Sequence, residues 1–500
     1  MAVTTMNFIS IYFVVLFAFL LFGYYSFPKK YQYIFILICN IIFYASYLNN
    51  AKEAIALTCV VLFSWGGGNL LEYCNTQKST RAAFFLTIIF SVASLVYFKY
   101  CDFILDNLNR INFRLADKDI VRRHSIVAPI GISFFSFQAL GYVIDVYHKK
   151  IRAEKNLFRY AAFVSFFPTI TSGPINRSDN LLAQMQRKEG KFISCESLYS
   201  GFMLALYGAF LKMVIAGRLS VLTDTVFNNY KSYGGFILFF ASVCYTFQIY
   251  CDFSSYSLIA IGISRMLGYE VVENFKAPYF SENIQEFWRR WHISLSTWFR
   301  DYIYIPLGGN QCSKCRKNLN LLITFIVSGL WHGANWTFVF WGFLHGIYQI
   351  VGNITKSIRK YMIDKLHIKT QCFSFHLWKK FWVFNCVSLA WIFFRSETIV
   401  DAFFYIFLMM SRVDIWDMFN GKIYQLGLNT LQMDILLLAV MLFIVLDYKK
   451  YKEDINIDVI LRRQNFLFRC FVICGLFAAT LVFGMYGPEF NVQDFIYIRF

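Results

Sequence analysis

Two histidines carry the clearest chemical signal in this sequence. His292 lies in QEFWRRWHISLSTWF (residues 285–299), and His332 lies in GLWHGANW (residues 329–336). An ionisable side chain within an apolar helix is expensive to place in lipid, so it usually faces a protein-lined cavity and has a function there. A neutral imidazole in such a cavity can accept a proton from a hydroxyl group, which makes His332 a candidate general base.

The residues around His332 predict a narrow polar slot, provided that one helix continues through them. On such a helix, small and polar residues share the face of His332 and indole rings wall it: Ser328, Gly329, Trp331, Asn335 and Trp336. Asn335 could donate a hydrogen bond to a developing oxyanion. His345 would lie about 20 Å further along and on nearly the opposite face, so we expect it outside the site. The alternative is that His332 only bonds a neighbouring helix.

Residues 284–298 predict one amphipathic helix. Its polar side chains fall in a narrow arc, and large apolar side chains fill the other side; the polar set is Gln285, Arg289, His292 and Ser296. Arg289 is a candidate for positioning a substrate at the mouth of a cavity. The alternative is an interfacial helix that lies on the membrane with its arginines near phosphate headgroups.

Composition predicts an all-α polytopic membrane protein, because 58% of the 500 residues are hydrophobic and 20% are aromatic. We expect about eleven or twelve transmembrane or re-entrant helices around a central cavity, in one domain (1–500) with a core segment at 281–346. Basic residues follow the odd-numbered spans and place the N-terminus outside the cytoplasm: Lys29, Lys30, Lys78 and Arg81. Short basic runs between spans do not indicate nucleic-acid binding, and we expect no metal site and no permanently bound cofactor.

The two histidine motifs resemble those of the membrane-bound O-acyltransferase family, in particular its bacterial alginate O-acetyltransferase branch. The resemblance implies that His332, in the WHG motif, is catalytic, and that His292, in the RWH motif, lies in the active-site region. Further similar segments cover most of the chain: 129–147, 166–175, 251–262, 274–280 and the closing DFIYIRF (494–500). Within and near them are our candidates for lining the cavity: Gln138, Asp145, Ser172, Asp252, Tyr256 and Leu258.

One segment departs from the acetyltransferase pattern. That branch usually reads DFSGYSDMAIG, whereas this chain has Ser255 in place of the glycine and Leu258 in place of the second aspartate. At Leu258 the chain is more similar to the branch that transfers D-alanine to teichoic acid. The departure therefore concerns the identity of the acceptor molecule more than the type of reaction.

Two classes of function fit a helical bundle with buried histidines. The residues alone do not separate an acyltransferase from a proton-coupled transporter or lipid flippase, and the resemblance favours the acyltransferase. It implies an acetyl-CoA or acyl carrier thioester as donor, a polysaccharide acceptor, and a membrane-anchored or extracytoplasmic partner protein that accepts the acetyl group. We expect the chain to be embedded in the bacterial cytoplasmic (inner) membrane, in contact with its lipid.

The three histidines of the core segment should differ in importance. We expect His332→Ala to abolish transfer, His292→Ala to damage it severely and His345→Ala to have a mild effect.

Overall fold

The structure is a computed structural model that describes residues 6–116, 127–187, 191–412 and 414–486. Within these ranges every regular element is a helix, as expected for an all-α membrane protein. The C-terminal motif at 494–500 lies outside the described residues.

The first half of the chain contains helices α1 to α11. Their bounds are α1 Ile11–Ser26, α2 Gln32–Ala45, α3 Ala51–Tyr73, α4 Gln77–Leu95, α5 Cys101–Ala116, α6 Ile132–Tyr147, α7 Leu157–Val164, α8 Phe167–Ile170, α9 Ala183–Met185, α10 Cys195–Phe210 and α11 Gly217–Asn228. A π-helical segment, Leu211–Ala216, joins the last two of these helices.

The second half contains helices α12 to α22. Their bounds are α12 Gly235–Met266, α13 Ile284–Arg290, α14 Ile293–Phe299, α15 Lys314–His332, α16 Trp336–Ile354, α17 Lys356–Lys365, α18 Phe373–Arg395, α19 Ile399–Ser411, α20 Thr430–Glu453, α21 Ile457–Arg462 and α22 Phe466–Phe483.

Six helical segments in the described residues are long and apolar enough to cross a membrane. They are Ala51–Tyr73, Gln77–Asn112, Cys195–Asn228, Gly235–Met266, Thr430–Glu453 and Phe466–Phe483. Four shorter apolar helical segments accompany them, at 11–26, 132–147, 157–170 and 399–411. The chain is therefore a multi-pass membrane protein, whereas the count of eleven or twelve crossings and the central cavity stay predictions.

The chain divides into two compact units. Unit 1 comprises Met1–Phe202 and Ile259–Val272, and unit 2 comprises Met203–Leu258 and Glu273–Phe500. All the candidate histidines belong to unit 2. The single domain over residues 1–500 stays a prediction.

In unit 1, the segment at 166–175 interrupts a helix, as its residues Pro168, Gly173 and Pro174 predict. Helix α7 ends at Val164, and the short α8 begins at Phe167 with Pro168 in its first turn. The buried Asn40 of α2 spans this break. Its side-chain amide donates to the carbonyl oxygen of Ala162 at 3.1 Å, and its Oδ1 accepts the Phe167 N–H at 2.9 Å. Backbone groups released by the interruption thus regain partners inside the protein, as apolar surroundings require.

In unit 2, helices α15 and α16 pack together through glycine. A Cβ on Gly329 would lie 2.2 Å from the carbonyl oxygen of Phe338, and a Cβ on Gly342 would lie 2.2 Å from that of Phe325. Any side chain at either position would therefore force the helices apart. Small residues allow such backbone approach in membrane helices. Gly329 is thus a packing residue of the hairpin, and its place in a polar slot beside His332 stays a prediction.

Candidate active site

His292 lies at a break between two short helices, so the predicted continuous helix over 284–298 is wrong. Helix α13 ends at Arg290, and α14 begins at Ile293. His292 between them has left-handed backbone angles, φ 43° and ψ 55°, which cost a non-glycine residue about 1–2 kcal/mol. Its side chain is fully buried. Strain of this kind is typical of functional positions that the surrounding structure holds in place.

Asn274 holds this break together. Its backbone carbonyl accepts the Ile293 N–H at 3.0 Å, and its Oδ1 accepts the Ser294 hydroxyl at 2.7 Å and the Ser294 N–H at 3.3 Å. Asn274 is itself fully buried. The segment before α13 therefore provides the cap of α14, which fixes the backbone that carries His292.

His332 is the last residue of α15, and the prediction of one helix through residues 328–345 is also wrong. Gly333 ends α15, and Asn335 is the N-cap of α16, where its Oδ1 accepts the Thr337 N–H at 3.1 Å. Its amide nitrogen donates to the carbonyl oxygen of Glu397 at 3.1 Å. Asn335 therefore does not lie on the helix face that carries His332. Its role as an oxyanion donor stays a prediction, and its existing hydrogen bonds disfavour that role because they already occupy its side-chain amide.

The break folds the chain back and brings the histidines into one cluster of rings. The Trp331 ring lies 5.9 Å from His292 and 5.0 Å from His332, centroid to centroid. The Trp341 ring also lies 5.0 Å from the His332 ring. His345 lies 4.9 Å from the same Trp341 ring, so the expectation that it points away from the site is wrong.

Aromatic side chains enclose this ring cluster, which consists of His292, Trp331, His332, Trp341 and His345. Phe253 of α12 meets the His292 ring edge-on at 4.6 Å, and Phe394 of α18 lies 5.5 Å from the His332 ring. Both histidines are 3% exposed or less, which places any proton transfer there out of contact with bulk water. Electrostatic interactions are stronger in such water-excluded surroundings.

Of the other residues predicted to position a substrate, two are buried and two are exposed. Ser328 and Trp331 are buried on the last turns of the helix that ends at His332, and their roles in positioning a substrate stay predictions. Trp336 is 48% exposed at the start of α16, and Arg289 is exposed on α13. The helix break explains why Trp336 is exposed, because the break removes this residue from the helix face that carries His332.

The cavity candidates lie in both units. In unit 1, Gln138 donates to the carbonyl oxygen of Phe163 at 2.5 Å, and Asp145 accepts a hydrogen bond from Ser178 at 3.3 Å. Ser172 is buried in the same unit. These three residues take part in the internal packing of unit 1, and their place at a cavity stays a prediction.

In unit 2, Asp252 forms a buried ion pair with Lys212, a residue that the sequence analysis overlooked. The ammonium group also lies 5.3 Å from the centre of the Tyr256 ring, while Leu258 is only half-buried. Lys212 is 6% exposed in the π-helical segment between α10 and α11. A lone lysine within an apolar helix is itself a functional signal, and this one could have been found by that rule. Asp252 is adjacent in sequence to Phe253, whose ring contacts the His292 ring.

The fold and these contacts define a helical membrane protein with histidines buried in an aromatic cluster. The family model for membrane-bound O-acyltransferases matches residues 14–395, so the chain belongs to that family and is an acyltransferase. This assignment favours the enzyme over the transporter or flippase.

Named relatives extend the comparison. The chain is 34% identical to the probable alginate O-acetylase of Azotobacter vinelandii over 430 residues, which cover 86% of this chain and 82% of that protein. It is 31% identical to the peptidoglycan O-acetyltransferase of Helicobacter pylori over 401 residues, covering 75% and 72%. It is 28% identical to the teichoic acid D-alanyltransferase of Bacillus subtilis over 247 residues, covering 47% and 62%.

Proposed function

We propose that this enzyme transfers an acetyl group from a thioester donor to a hydroxyl group during O-acetylation of an extracytoplasmic polysaccharide. The observation that carries the proposal is the shared Trp331 ring, which contacts both His292 and His332. Two histidine motifs that are distant in sequence thus meet in one buried cluster. The acetylating relatives, of alginate and of peptidoglycan, support acetyl as the group transferred.

In the proposed reaction, His332 is the general base. Its ring nitrogen takes the proton of the acceptor hydroxyl while the hydroxyl oxygen bonds to the thioester carbonyl carbon. The carbon–sulfur bond then breaks, and the proton passes to the leaving thiolate, so that an ester and a free thiol result. His292, on the other side of Trp331, completes the acceptor side of the site.

The donor reaches this site from the cytoplasm as acetyl-CoA or as an acyl carrier thioester. A membrane-anchored or extracytoplasmic partner protein receives the acetyl group and completes the modification of the polysaccharide. The chain lies in the bacterial cytoplasmic membrane with its N-terminus outside.

The decisive experiment uses purified protein in detergent with acetyl-labelled acetyl-CoA and an oligosaccharide acceptor. We expect release of free CoA and labelled ester from the wild-type protein, and loss of both in His332→Ala. His367→Ala is the matched control, because His367 is an exposed histidine after α17. More than about a tenth of wild-type activity in the folded His332→Ala protein would overturn the assignment.

Leu258 gives one specific reason to test a second acyl group. It resembles the D-alanyl branch at a position where acetyltransferases usually carry aspartate, and a teichoic acid D-alanyltransferase is among the relatives. The same assay with a D-alanyl carrier thioester would distinguish the two. A D-alanyl ester product without an acetyl product would replace acetyl as the transferred group.

The proposed orientation has its own test. A Thr4→Cys variant should react with a membrane-impermeant maleimide in intact cells; Thr4 lies outside the described residues. Labelling that requires permeabilised cells would reverse the topology.

A further inference from the structure

Two buried N–H groups of the ring cluster, one on His345 and one on Trp341, have no role in the reaction proposed above. His345 is fully buried on α16, and the Trp288 indole N–H donates to its Nδ1 at 3.3 Å. Because Nδ1 accepts this bond, the proton of the neutral His345 ring lies on Nε2. The second group is the indole N–H of Trp341, which is also fully buried.

Neither N–H group has a hydrogen-bond acceptor among the residues that the structure describes. A buried donor without a partner costs about 1–3 kcal/mol, and such donors are rare in native proteins. Two of them on adjacent rings are therefore available to donate to a ligand atom that accepts hydrogen bonds.

Their position indicates which atom that is. The Trp341 ring lies 5.0 Å from the His332 ring, and the His345 ring lies 4.9 Å from the Trp341 ring, so one donor ring contacts the proposed base and the other packs directly against that donor ring. An acyl group attacked at His332 develops negative charge on its carbonyl oxygen. Asn335, the donor expected from the sequence, already bonds Glu397 and caps α16.

We propose that the Nε2–H of His345 and the Nε1–H of Trp341 form the oxyanion hole of this acyltransferase; this rests on the acyl transfer proposed above. When the hydroxyl oxygen bonds to the carbonyl carbon, the carbonyl π electrons move to the oxygen, and both N–H groups donate to it. The electron pair returns as the carbon–sulfur bond breaks. Trp288 acts as a positioning residue, because its hydrogen bond keeps the His345 proton on the nitrogen that donates.

The site is closed in this structure. The ring nitrogens of His332, His345 and Trp341 are all sealed from solvent. Binding of an acyl group at these nitrogens therefore requires the surrounding aromatic side chains to move aside.

The test removes each N–H while keeping a ring in its place. Trp341→Phe and His345→Phe should each lower kcat for acetyl transfer by about 100- to 1,000-fold, the usual effect of losing one oxyanion donor. KM for acetyl-CoA should stay close to the wild-type value, because the bonds strengthen only in the transition state. His345→Gln, which returns an amide N–H, should recover part of the lost kcat.

Trp391→Phe is the matched control, because Trp391 is a buried indole stacked on Trp341 at 5.4 Å, its N–H also lacks an acceptor among the described residues, and it is not a proposed donor. It should change kcat little. Each variant is compared as a monodisperse peak in detergent; if His345→Phe fails to fold, Trp341→Phe and His345→Gln decide.

Folded Trp341→Phe and His345→Phe proteins that keep more than about a tenth of wild-type kcat would overturn the oxyanion hole. That result, together with a wild-type activity that depends on His332, would leave the acyl transfer in place. Wild-type protein without any His332-dependent transfer would overturn both proposals.

Discussion

Two helix breaks, one in each unit, are stabilised in similar ways but differ in backbone strain. At the α7–α8 break of unit 1, Asn40 returns hydrogen bonds to the interrupted backbone. At the α13–α14 break of unit 2, Asn274 does the same for Ile293 and Ser294. Only the second break holds a non-glycine residue, His292, in a left-handed conformation. A break that serves packing needs no such strain, whereas strain that is maintained at a buried histidine indicates a function.

The largest effect that would sharpen this comparison is expected from His292→Ala. Removing the imidazole from the strained break should lower acetyl transfer by about 100-fold or more. The measurement is the labelled-ester assay on monodisperse protein, with His367→Ala as the exposed control. Near wild-type transfer by folded His292→Ala would make the strain at this position structural only.

The two asparagines should separate stability from activity. Asn40→Ala and Asn274→Ala each leave buried donors or acceptors without partners, so each should lower the free energy of unfolding by about 1–3 kcal/mol. Asn274→Ala should also lower kcat, because a displacement of about 1 Å at a reacting group can cost about 100-fold. Thermal unfolding in detergent and the transfer assay measure the two effects. Equal specific activity in the two variants would remove the functional distinction between the breaks.

Glycine at position 292 should reveal the strain directly. Since glycine adopts positive φ without a steric cost, His292→Gly should be more stable than His292→Ala by about 1 kcal/mol. Both variants lack the imidazole, so the difference isolates the backbone contribution. An equal or lower unfolding temperature for the glycine variant would mean that the break stores no strain.

The smallest effect is expected at Leu258. This residue is half-buried on α12, the helix whose Phe253 meets the His292 ring. Leu258→Asp restores the aspartate of the acetyltransferase pattern and should alter acceptor modification without unfolding the protein. Donor turnover and acceptor modification identical to the wild type would show that the departure is neutral.

Much of the fold follows from local sequence signals. Long apolar runs predicted most of the spans, and Pro168 with the glycine that follows it predicted the interruption after α7. The break at His292 contains no proline or glycine. It is held instead by hydrogen bonds to Asn274, a residue that is distant from His292 in sequence. Helical periodicity alone could not show this tertiary effect.

The sequence singled out the histidines that the structure brings into one ring cluster, but it did not predict how the chain places them. Gly333 and Asn335 were available as a helix stop and a helix start, and together they predict the end of α15 at His332. Treating the segment as one helix placed His345 on the wrong side. The pairing of Lys212 with Asp252 depends on tertiary packing. The sequence alone could show only that Lys212 is a charged residue within an apolar helix.

The hairpin of α15 and α16 has a consequence for the order in which the site forms during synthesis. His332 and Trp341 are close in sequence, so their contact forms with little loop-closure entropy once α16 exists. Trp391, which stacks on Trp341, is added fifty residues later. At about 5–20 residues per second, the ribosome needs about 3–10 s to reach it. For those seconds, the nascent chain carries the His332 and Trp341 rings on a hairpin that lacks its α18 neighbour.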